Sequence, residues 1–133
     1  MFEGCYVAMI TDFKDGRVNL DGVRRLAERL IAAGVSGLVP VGCTGEAATL
    51  TPGERLDIIK AVLEVRGRAA GVKVIPGTGT NSTASTIDLT RMAADAGVDG
   101  ALVITPYYNK PTQAGLIKHY QSVAAAVSLP IMM

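Results

Sequence analysis

The chain has 133 residues, 49% of them hydrophobic and 5% aromatic, with 15 glycines and a formal charge of +1. That length supports one domain with its own core, and the many small residues suit closely packed α/β elements. The charges are interspersed with no basic stripe, which argues against a nucleic-acid partner, and the longest uncharged run, Leu30 to Gly45, is too short and too broken by glycine and proline to span a bilayer.

Met1-Phe2-Glu3-Gly4 lacks the basic start of a secretory signal, so a cytoplasmic location is expected. Cys5 and Cys43 could pair, but free thiols are the expectation in that compartment. One histidine and no Cys-x-x-Cys leave a metal site unexpected. The first strand reads as Cys5 to Ile10. Helix one starts near Asp21, with Val23, Leu26, Ala27 and Leu30 on one face, and Gly34 stops it. Strand two, Leu38-Val39-Pro40-Val41, runs into Gly42-Cys43-Thr44-Gly45-Glu46. Gly42 and Gly45 are expected to take backbone angles closed to other residues, so that successive N–H groups turn inward as an anion-binding cup. The same residues would also serve a ligand-free βα turn.

Helix two opens on Thr51-Pro52-Gly53-Glu54, a capping box with proline at the first helical position. Its inner stripe is expected to be Leu56, Ile59, Val62 and Leu63. Strand three, Val72 to Ile75, ends in Pro76-Gly77-Thr78-Gly79-Thr80-Asn81, and helix three follows from about Ser82 to Gly97. Strand four, Ala101 to Ile104, leads into Thr105-Pro106-Tyr107-Tyr108-Asn109-Lys110-Pro111. Helix four, capped by Thr112, should face inward with Leu116, Tyr120, Val123 and Val127, and Leu129 to Met133 begins a fifth strand. Ala-Gly-Val occurs at 33–35, 70–72 and 96–98, each time where a helix gives way to a strand.

Continuously apolar strands alternating with amphipathic helices give a parallel sheet covered by helices. No Gly-x-Gly-x-x-Gly follows strand one, which weakens a dinucleotide-binding doubly wound sheet. The polar, glycine-rich segments all follow strands, as on the active face of a (β/α)8 TIM barrel. A whole barrel takes roughly 250 residues. The expectation is therefore an α/β domain over residues 1–133, the first four and a half βα units of a barrel.

The segments Pro40 to Leu50, Gly77 to Asn81 and Thr105 to Pro111, in this order and spacing, resemble the dihydrodipicolinate synthase family, within the N-acetylneuraminate lyase superfamily. Tyr107-Tyr108-Asn109-Lys110-Pro111-Thr112-Gln113 is more specific to that family than to the sugar-acid aldolases. The resemblance implies a Schiff-base lyase without cofactor or metal that condenses pyruvate with L-aspartate-4-semialdehyde on the diaminopimelate route to lysine. It assigns Thr44 to the pyruvate carboxylate. Cys43, where the family usually has threonine, and Tyr108, which reaches a neighbouring subunit, fall on the proton relay. It also implies a homo-oligomer, a dimer of dimers. The Schiff-base lysine, expected on strand six, lies beyond Met133, so residues 1–133 alone should be inactive. Lys110 stands at the active face but in a loop, and Lys14, Lys60, Lys73 and Lys118 fall elsewhere.

Asn81 and Tyr107 match the family's lysine-effector pocket, but Pro52 and Ser85 replace a histidine and a glutamate of lysine-sensitive members, so insensitivity is expected. His119, mid-helix, reads as packing or surface, Cys5 as a small core residue and Glu46 as a partner for turn donors. Asn81 and Asn109 also read as turn residues. Two other functions fit: a 2-keto-3-deoxy-sugar-acid or N-acetylneuraminate aldolase, and a non-catalytic half-barrel that self-associates through its open edges.

Overall fold

The computed structural model describes residues 2–67, 69 and 71–133. Five short parallel strands carry the architecture: β1 (Tyr6–Ala8), β4 (Gly37–Val39), β5 (Lys73–Val74), β6 (Ala101–Leu102) and β7 (Ile131–Met132). Between them lie α1 (Leu20–Ala32), α2 (Pro52–Arg66), α3 (Thr83–Asp95) and α4 (Gln113–Ala125). A small antiparallel hairpin, β2 (Phe13–Lys14) with β3 (Arg17–Val18), follows β1.

β1 pairs with β4, β4 with β5, and β6 with β7, all in parallel. A parallel bridge between Gly77 and Leu102 joins the two groups: Leu102 N–H donates to Pro76 O at 2.8 Å and Thr78 N–H to Leu102 O at 2.9 Å. The order is therefore β1-β4-β5-β6-β7, each strand added on the same side of its predecessor. A doubly wound sheet reverses direction at a switch point, whereas a barrel does not. Consecutive helices touch, α1 with α2, α2 with α3 and α3 with α4, as a single outer layer. The sheet is an arc and does not close. No helix among the described residues is long and apolar enough to cross a membrane.

The core lies between this arc and its helices, built on Met9, Leu38, Val41, Ile58, Ile59, Val62 and Val74. Val23 and Ala27 of α1 are buried, and Leu26 and Leu30 pack against that core, as their spacing predicts. The α2 stripe is rotated from its expected position. Ile59 and Val62 are buried, but Ile58, Ala61 and Val65 complete the inner face, and Leu56 and Leu63 lie on its flank, half-buried. On α4 the buried residues are His119 and Val123, while Leu116 and Tyr120 are half-buried.

Thr51 caps α2 as expected: Glu54 N–H donates to Thr51 Oγ1 at 3.2 Å, and Thr51 N–H to Glu54 Oε2 at 2.9 Å. The recurring glycines Gly34, Gly71 and Gly97 have φ of +83°, +93° and +88°, with open space where a Cβ would stand, and Gly34 and Gly97 directly follow the caps of α1 and α3. Their conformation, not crowding, requires glycine. Ala70, in the middle copy of the repeat, lies outside the described residues. Sequence reading also missed the hairpin, although Asp15-Gly16, both at positive φ, is its turn.

Candidate active site

Parallel strands bring the loops after β4, β5 and β6 to one end of the sheet, where they enclose a cavity of about 590 Å³. Cys43, Glu46 and Thr49 contribute from the first loop, Gly77 and Gly79 from the second, and Thr105 and Tyr107 from the third. The loops meet by main chain. A Cβ at Gly77 would stand 2.5 Å from Val41 O and 2.7 Å from Gly42 Cα, and one at Gly79 would stand 2.5 Å from Ile104 N. These two glycines permit contact that any side chain would block.

The first turn is folded differently from the expectation. Its positive φ values belong to Val41 (+49°) and Glu46 (+55°), not to Gly42 or Gly45. Gly45 is tightly packed: a Cβ there would stand 3.0 Å from Met9 O and 3.1 Å from Val41 N, so main chain would have to give way. A left-handed β-branched residue is strained and persists only where its surroundings fix it. Val41 is 1% exposed in the core, and Gly45 O accepts a hydrogen bond from Thr11 Oγ1 at 2.7 Å. Within the turn, Gly45 N–H and Ala47 N–H donate to Gly42 O at 3.1 and 3.2 Å, and Glu46 N–H to Cys43 O at 3.0 Å. Among the described residues, the N–H groups of Cys43 and Thr44 donate to no protein acceptor. Successive unengaged donors in a turn are what an anion-binding concavity requires.

Cys43 is exposed and lines the cavity; Thr44, exposed in the same turn, does not. Tyr107 lines the cavity, and Tyr108 beside it is 93% exposed. Tyr108 has φ +69°, and Asn109 N–H donates to Tyr107 O at 2.8 Å, which makes Tyr108 the centre of a strained γ-turn. Asn81 and Asn109 are joined by their side chains. None of Lys14, Lys60, Lys73, Lys110 or Lys118 lines the cavity. Lys73 Nζ instead stands over the Phe2 ring, 5.3 Å from its centroid.

Two functional neighbours escaped the sequence reading. Thr11 had no signal, because its partner is a carbonyl 34 residues away. Arg55 lines the cavity, 7% exposed, and its guanidinium donates to Ala47 O and, at 3.5 Å, to Leu50 O. Burial lowers its pKa from the ordinary arginine value, partly offset by Tyr107, and an arginine nevertheless remains a cation. A charged residue in the first turn of a helix gives no sequence cue to its burial. Among the described residues, no group of at least three His, Cys, Asp or Glu side chains is arranged to hold a metal.

The model of the dihydrodipicolinate synthetase family matches residues 1–133. The 4-hydroxy-tetrahydrodipicolinate synthase of Methanococcus maripaludis is 50% identical over 132 residues, covering 98% of this chain and 45% of that protein. That of Anaeromyxobacter sp. is 51% identical over 131 residues, covering 98% and 43%. Among solved structures, dihydrodipicolinate synthase from Aquifex aeolicus superposes with a TM-score of 0.92 at 43% identity, over 98% of this chain and 44% of that one. The Acinetobacter baumannii enzyme, described as chloride-inhibited and complexed with pyruvate, gives 0.93 at 44% identity, over 98% and 45%. The chain thus spans about half the length of the curated relatives it matches.

Proposed function

The chain belongs to the dihydrodipicolinate synthetase family, and from that premise we propose that it forms the pyruvate-binding part of a Schiff-base lyase. The reaction condenses pyruvate with L-aspartate-4-semialdehyde to 4-hydroxy-tetrahydrodipicolinate. A lysine amine attacks the pyruvate ketone and expels water; loss of a methyl proton then gives an enamine, whose carbon adds to the aldehyde. No cofactor is needed for these steps. The observation that carries the reading is the pair of unengaged N–H groups at Cys43 and Thr44, in a turn whose Cys43 lines a cavity together with Tyr107.

In this reading the Thr44 hydroxyl and N–H hold the pyruvate carboxylate, and Cys43 passes protons with Tyr108. The near-complete exposure of Tyr108 suits a side chain that enters the site of another copy, in a dimer of dimers. The amine comes from a later strand, since no lysine of this chain lines the cavity. The location is the cytoplasm. Pyruvate with borohydride, followed by peptide mass analysis, tests the assignment. The full-length protein should gain a reduced adduct on a lysine outside residues 1–133, and absence of any adduct refutes the chemistry.

By resemblance Asn81 and Tyr107 match the effector position, whereas Pro52 and Ser85 line a groove with the Arg55 guanidinium in which Asp88 is the one carboxylate among the described residues. Neither Pro52 nor Ser85 offers a carboxylate to the ammonium of a basic effector, so in this reading the enzyme is insensitive to lysine. Inhibition of condensation by millimolar lysine would contradict this.

A further inference from the structure

We propose that Asn109 is a positioning residue, the clasp that holds Tyr108 in its left-handed turn; the catalytic use of that placement rests on the proposed function above. Tyr108 and Lys110, on either side of Asn109, have φ of +69° and +48°. Non-glycine residues stay in that region only where neighbouring groups over-determine the backbone. Tyr108 is 93% exposed, so no packing within its own chain fixes it. The clasp is a reciprocal amide contact: Asn109 Nδ2 donates to Asn81 O at 2.6 Å, and Asn81 Nδ2 donates to Asn109 Oδ1 at 3.2 Å.

Asn81 is a firm anchor because Thr80 before it is tied into the body of the molecule. Thr80 N–H donates to Thr86 Oγ1 at 2.9 Å, and both threonines are buried. The connection runs from the inner face of α3 through Thr80 and Asn81 to Asn109, and so to the direction of the Tyr108 phenol.

The two bonds are unequal in what a substitution removes. Asn109→Ala deletes both, whereas Asn81→Ala deletes only the 3.2 Å contact, because the other ends on a backbone carbonyl. In the full-length protein, Asn109→Ala should move Tyr108 out of positive φ in its crystal structure. It should also lower kcat by about tenfold or more with little change in KM for pyruvate. Asn81→Ala should do less, and should add nothing to Asn109→Ala. Asn109→Asp, which keeps the shape and the acceptor but loses the shorter bond, serves if the alanine variant does not fold, and should likewise release Tyr108.

In a Tyr108→Phe background the Asn109→Ala effect on kcat should vanish, since a residue acting through the phenol has nothing left to position. An effect undiminished there, or a Tyr108 still at positive φ without the clasp, overturns the proposal. If the full-length protein has no condensation activity yet Tyr108 leaves positive φ, the clasp stands and the assigned reaction falls.

Discussion

His119 carries the clearest consequence at the scale of one residue. Its ring is 6% exposed, Nδ1 lies 2.9 Å from Thr83 Oγ1, and among the described residues Nε2 is buried without a partner. Burial lowers its pKa from the ordinary 6.5. A base whose folded pKa is depressed favours the folded state while neutral, so its contribution is complete above about 6.5 and is lost as pH falls towards the lower folded value. Denaturant midpoints should fall over that window, and His119→Gln should flatten the slope. An unchanged slope would show that another group titrates. Cys43 poses a chemical question at the same scale. A thiol is a longer and weaker hydrogen-bond donor than a hydroxyl. In the full-length protein, Cys43→Thr should raise kcat, and iodoacetamide should inhibit the parent protein but not the variant. Equal turnover and no effect of alkylation would remove Cys43 from the relay.

At the scale of elements, α2 shows both the reach and the limit of sequence reasoning. Thr51, Pro52 and Glu54 mark its start, because capping is local chemistry and needs only neighbours within one turn. Thr51→Ala should cost about 1 kcal/mol in unfolding free energy, measured by denaturant titration. Its inner face was less legible. Apolar residues occur nearly all around the helix, and only packing against α1, α3 and β5 selects Ile58, Ala61 and Val65 over Leu56 and Leu63. Arg55 is an extreme case, since its burial depends on carbonyls that the turn before the helix happens to aim at it. The hairpin at Asp15-Gly16 was missed because its strands have two residues each, too few to show alternation.

At the scale of the molecule, the βα alternation and the helix-stopping glycines at 34 and 97 announced the layers, because each unit repeats the same local solution. The one-directional strand order was not written in any segment; it emerges where Leu102 bonds to Pro76 and Thr78 across the Gly77 bridge. The site divides in the same way. Cys43 and Tyr107 were found as members of motifs and share a cavity, whereas Thr11 belongs to the site only through the folded chain. The close approach at Gly77 governs how that cavity can change. Where Gly77 lines it, main chain is pressed on main chain, so no rotamer can open it there. A switch of preferred ligand must therefore be made at the walls, through side chains such as Cys43, Thr105 and Tyr107.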